Sequence, residues 1–207
     1  MTDFTTIKKL FGISEPIGFD DETIQFAISN IGMLPQVLID YYTELGKHEG
    51  LNHSYDYLVH PEQLHERQCD DFLVFWFENQ DVTVWGIRSE DLCLANPPVY
   101  ANCDDNGWKK EKDALTDFFA AAANFQAMFG LPYCSSFLSI THEKATIIRG
   151  KYQRKEAQLP EWFGIEFFGN EEDSVISLTR NGDHIMLLYA SNSELHVSKM
   201  DSELTLP

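Results

Sequence analysis

The stretch DFLVFWFENQDVTVWGI, Asp71 to Ile87, constrains this chain more than any other. Phe72 through Phe77 is apolar without a break, and so short a continuous run reads as a strand covered on both faces. Glu78, Asn79, Gln80 and Asp81 then interrupt it. The chain resumes in alternation, with Val82 and Val84 on one face and Thr83, Trp85 and Ile87 on the other. Asn79-Gln80 between two strand patterns predicts an antiparallel hairpin of Phe72–Phe77 and Val82–Ile87 in the middle of a sheet.

A second constraint is DALTDFFAAAANFQAMFG. Leu115, Phe118, Phe119, Ala122, Phe125 and Phe129 line a wide apolar face, and Gly130 and Pro132 end the pattern. This helix, near Asp113–Phe129, is expected to pack on the hairpin's sheet through Phe118, Phe119, Ala122 and Phe125.

Two shorter helices come earlier. DDETIQFAISNIG places Ile24, Ala27, Ile28 and Ile31 together, with Asp20 or Asp21 as cap and Gly32 as stop. In LPQVLIDYYTELG, Pro35 suits a first helical position and Gly46 a terminator. Residues 47–70 are polar, with a short strand near Tyr55 to Val59. Pro97 and Pro98 lack amide donors and mark a sheet edge or a crossing. Asn106-Gly107 signals a turn. Residues 139–158 fit a helix or a strand pair. WFGIEFF, SVISLT and HIMLLYA read as strands. The tail carries a capping-box pattern, Ser191 to Glu194, but also alternates like a strand. The sum is an α+β chain, with a twisted, mostly antiparallel sheet flanked by helices. Composition never shifts enough to set a boundary, so residues 1–207 read as a single domain.

Charge narrows the function. With 33 acidic against 15 basic side chains the formal net charge is −18. A field of that sign repels phosphate backbones and favours a basic protein partner over nucleic acid. Cys69, Cys93, Cys103 and Cys134 form no C-x-x-C pair, and MTDFTTIKKLFG lacks a leader's apolar run. These features, with no window of membrane-helix length, suggest thiols in a reducing cytoplasm.

Motifs for chemistry are sparse. His60, His65 and Cys69 lack the close pairing and fourth ligand of a structural zinc site. Cys134, His142 and some carboxylate could be arranged as a small thiol hydrolase, though no nucleophile motif surrounds Cys134. CDDNG lacks the spacing of a calcium loop. Neither a metal nor a cofactor is expected. The hairpin turn remains. Glu78, Asn79 and Gln80 either present amide and carboxylate groups beside Trp85 as a recognition patch, or simply make a turn, with Asn79 at positive φ and its neighbours solvated.

The order of these pieces resembles the SUKH superfamily: LPQVLIDYYTELG, FENQDVTVWGIRSEDL, NPPVY, Trp108 and ALTDFFAAAANFQ, from about Leu34 to Gly130. The resemblance implies an α+β fold and a non-enzymatic protein-binding role. In such proteins that role is often bacterial immunity, the silencing of a toxin. Related fungal proteins of the Smi/Knr group are regulatory, so a scaffold for an endogenous partner is the alternative. No catalytic residue carries over. Glu78, Asn79, Gln80, Trp85, Pro97, Pro98 and Trp108 match motif positions. The expected partner surface comprises Glu78, Asn79, Gln80, Asp81, Asp104, Asp105 and Trp108: carboxylates for a basic toxin domain around an aromatic anchor.

Overall fold

The computed structural model describes residues 2–103, 106–159 and 164–205. From the N-terminus run α1 (Thr5–Phe11), α2 (Asp21–Ile31), α3 (Gln36–Leu45) and α4 (Glu49–Asn52). The strands β1 (Tyr57–Leu58), β2 (Gln68–Cys69), β3 (Phe72–Phe77), β4 (Thr83–Arg88), β5 (Val99–Cys103) and β6 (Trp108–Lys112) follow. Then come α5 (Leu115–Gly130), β7 (Tyr133–Cys134), β8 (Leu138–Ile140), α6 (His142–Lys151), β9 (Glu166–Phe168), β10 (Ser174–Asn181), β11 (His184–Ser191) and α7 (Glu194–Leu204). The class is α+β, and the strands divide between two antiparallel sheets. The chain divides into two compact units: residues 1–4 with 14–119, and residues 5–13 with 120–207.

In the first unit the sheet runs β1-β3-β4-β5-β6, with β2 also pairing β3. The hairpin sits inside it as expected. Its register jumps from Val74 opposite Gly86 to Trp76 opposite Trp85, which makes Phe75 the extra residue of a bulge. A bulge breaks strict alternation. Neighbouring rings therefore meet the same helix: Phe75 and Trp76 lie 5.3 and 5.9 Å from Phe118, both edge-on. Trp85 lies 5.8 Å from the same ring. Phe72 is covered differently, by Trp108 stacked at 4.1 Å, by Tyr100, and by the Arg88 guanidinium. Cover from both sources explains why the run is apolar throughout.

The helices follow their local signals. Asp20 caps α2 by accepting the Thr23 amide at 2.9 Å, and Gly32 ends it at φ 100°. Pro35 stands at the cap of α3, one place before the first helical residue. Tyr41 and Tyr42 of α3 are wholly buried, and each keeps its hydroxyl bonded, to Asn52 Oδ1 and to the Val59 carbonyl. Tyr41 stacks on Phe119 at 3.7 Å. Pro97 and Pro98 mark neither an edge nor a crossing. They precede β5, an interior strand, so their missing amides fall outside its ladder.

In the second unit the sheet runs β7-β11-β10-β9, with β8 also pairing β11. Its long hairpin turns at Gly182, φ 60°. One apolar cluster joins α6, Tyr152 and α7 to these strands through Ile148, Ile176, Leu187, Tyr189, Met200 and Leu204. Within residues 139–158, the end of β8 is followed by α6. The tail is a helix capped by Ser193, whose hydroxyl accepts the His196 amide; Ser191 ends β11 instead. Of the expected α5 contacts, Ala122 is buried, but Phe125 is half-buried and its ring meets Phe129 at 5.5 Å.

Candidate functional site

The β3–β4 turn is built from inside. The Glu78 amide donates to the Thr83 carbonyl and the Asp81 amide to the Glu78 carbonyl, closing the turn. Glu78 folds its own side chain over that turn, where Oε2 accepts the Gln80 amide at 2.8 Å and the Val82 amide at 3.4 Å. Its carboxylate is therefore a clasp rather than a surface charge, and the residue is only 8% exposed. Positive φ falls on Asp81 (62°) rather than Asn79, an aspartate being one of the few residues to tolerate it. Gln80, Asp81 and Val82 are the exposed residues of the turn, and Asn79 is half-buried.

Sequence reading gave no hint of the group behind this turn. β1 pairs with β3 through Tyr57 opposite Phe77, and this pairing brings Asp56 beside Glu78. Asp56 is 2% exposed. Burial, followed by the Glu78 charge, pushes its carboxyl up to about 8, and a hydrogen bond from the Asn79 amide only partly opposes them. At neutral pH Asp56 is thus a neutral acid beside the turn. Only the strand register could have revealed it.

The other predicted residues fall as follows. Thr83 pairs with Cys103, so the end of β5 lies beside the β3–β4 turn. Asp104 and Asp105 lie outside the described residues. Their neighbours Asn106 and Gly107 are exposed, and Asn102 Oδ1 accepts the Gly107 amide at 3.1 Å. Trp108 is half-buried and lies flat on Phe72, not out in solvent. It also covers Gly86, where a Cβ would stand 2.9 Å from the ring; the glycine is what lets the indole close on the sheet.

The other chemistry candidates make the following contacts. His60 Nδ1 caps the turn at Pro61–Glu66 by accepting the Glu62 amide, and its ring packs on Phe19 at 4.6 Å. His65 lies edge-on to Phe26. Among the described residues no cluster of three or more His, Cys, Asp or Glu could hold a metal. The Cys134 thiol donates to the Leu131 carbonyl at 3.1 Å, and burial raises its pKa. That is the reverse of what activates a thiol nucleophile. No described helix is long and apolar enough to cross a membrane. No protein-family model, curated protein or solved structure matches the chain.

Proposed function

We propose that the chain is a non-catalytic binding protein, an immunity protein of the SUKH type, that neutralises a basic toxin domain in the cytoplasm. The carrying observation is the β3–β4 turn. It is exposed at Gln80, Asp81 and Val82, yet held from within by the Glu78 clasp. A surface already fixed in one shape loses little entropy on binding. The net charge of −18 adds steering toward a basic partner. The motif series from Leu34 to Gly130 supplies the toxin as the kind of partner.

In this reading Asp81 sets the association rate, and Trp108 stiffens the sheet beneath it. The test is surface plasmon resonance against the product of the adjacent gene over a salt series, with Asp81→Lys alongside the native chain. Association should slow with salt and slow further in the variant. Binding indifferent to both would remove the charged surface from the reading. Absence of any affinity would favour a regulatory scaffold for another protein of the cell.

A further inference from the structure

The second unit contains a cleft of about 480 Å³ between α1, the later turns of α5, the chain at residues 153–157 and the loop at 169–172. Its frame is well tied. Asn124 donates to the Ala157 carbonyl at 3.1 Å, the Lys155 amide to the Phe167 carbonyl at 2.9 Å, and the Gly169 amide to the Gln153 carbonyl at 2.9 Å. Gly169 has a second role. A Cβ there would meet the Ser174 carbonyl at 2.9 Å and Lys155 Cε at 3.1 Å, so the bare glycine is required by the neighbouring backbone and also leaves room for the lysine stem.

The cleft is lined by Lys9, Arg154 and Lys155 and by Glu156, Glu171 and Glu172, and the ion pairs among the described residues leave two of the cations without a contact partner. Glu172 is taken by Lys9 at 2.8 Å, and Glu171 faces Lys199 at 3.7 Å. Asp173, close enough to be felt by Lys155, is held by His196 Nδ1 at 2.7 Å. Glu156 is exposed at the rim. Among the described residues neither Lys155 nor Arg154 has an ion-pair partner or a side-chain hydrogen bond. Two cations without a contact ion pair among the described residues thus line a half-enclosed space in a chain of net charge −18. Burial lowers the pKa of Lys155 against the pull of Asp173 and Glu172, the sign of an ammonium short of solvation.

We propose that this cleft binds a small organic oxyanion, a carboxylate or a phosphate monoester, with Lys155 as the enclosed charge and Arg154 as the fork at the mouth. An ammonium that has lost water without gaining a contact ion pair is stabilised by a bound anion, and a guanidinium matches two oxygens of such a group at once. The volume lies in the range of small-ligand pockets. The site is independent of the β3–β4 turn.

The test uses the full chain and three sodium salts at equal ionic strength: chloride, acetate and phosphate. Amide chemical shifts and the thermal midpoint are followed for the native chain, Lys155→Met and Arg154→Gln. Equal ionic strength matters because any salt screens the self-repulsion of so acidic a chain. Phosphate or acetate should shift the amides of Lys155 and Gly169 saturably and raise the midpoint beyond chloride. The more effective anion identifies the class. Lys155→Met should abolish both effects, and Arg154→Gln should weaken the affinity several-fold. Lys155→Met removes a charge that lacks a contact ion pair and so should remain folded, which circular dichroism checks. Midpoints that follow ionic strength alone, or an anion response that persists in Lys155→Met, would overturn the proposal.

Discussion

Asp56 and Glu78 sit side by side one step beyond the Tyr57–Phe77 pair of the β1–β3 ladder, both buried, with the Asn79 amide bonded to Asp56. Two carboxyls in so little water cannot both carry charge cheaply. Glu78 has work for its charge, since Oε2 accepts two turn amides. Asp56 is the one that keeps the proton.

That assignment has a pH signature. The Asp56 carboxyl moves from an ordinary 3.8 to about 8 in the folded chain. Between these values the folded state holds a proton that the unfolded state has released. Its contribution to stability is therefore full below the lower value and is lost as pH rises toward the upper one, at about 1.4 kcal/mol per pH unit. Asp56→Asn keeps an acceptor for the Asn79 amide and removes the titration. The variant should be more stable than the native chain at pH near the top of this window, with the gap closing toward acid. Urea unfolding at stepped pH measures this, and parallel profiles for the two proteins would refute it.

The Glu78 clasp makes a separate prediction. In Glu78→Ala the Gln80 and Val82 amides lose their acceptor, at a cost of roughly 1–3 kcal/mol. Hydrogen exchange should quicken at those two amides first, ahead of the β3 and β4 ladder. Unchanged protection at Gln80 would mean that the turn holds without its carboxylate.

Phe118 lies under three rings of the hairpin and is 2% exposed. Phe118→Ala should cost about 3–5 kcal/mol. Phe26, on the exposed side of α2 at 46% exposure, is the control. Its alanine variant should change stability by about 0.5 kcal/mol or less. Chemical denaturation of both variants gives the comparison, and similar losses would contradict the packing.

Gly86 and Trp108 are coupled. Gly86→Ala puts a methyl 2.9 Å from the indole and 3.1 Å from the Leu73 carbonyl. The indole must lift from Phe72, at a cost of about 1–3 kcal/mol. Removing the ring first, in Trp108→Ala, should relieve part of that cost, so the double variant should be less destabilised than the sum of the two. Purely additive losses would show that the Leu73 carbonyl alone rejects the methyl.

Sequence alone determined the elements whose signals are local. The β3–β4 hairpin, α2 with its Asp20 cap and Gly32 stop, and the span of α5 all follow from periodicity and turn chemistry within a few residues. Two departures from the local signals are local as well. Ser193 rather than Ser191 caps α7, because Ser191 is still held in the β10–β11 ladder opposite Ser174. Asp81, not Asn79, takes the positive φ. Tertiary structure decided what depends on chain segments far apart. The bulge at Phe75 sets neighbouring rings on one helix, and the β1 register pairs Asp56 with Glu78. Gly86 lets Trp108 lie flat on the sheet, and Lys155 meets a cleft lined in part by α1. Whether a charge or a ring is buried depends on what arrives opposite it. Periodicity describes one segment at a time and carries no record of that encounter.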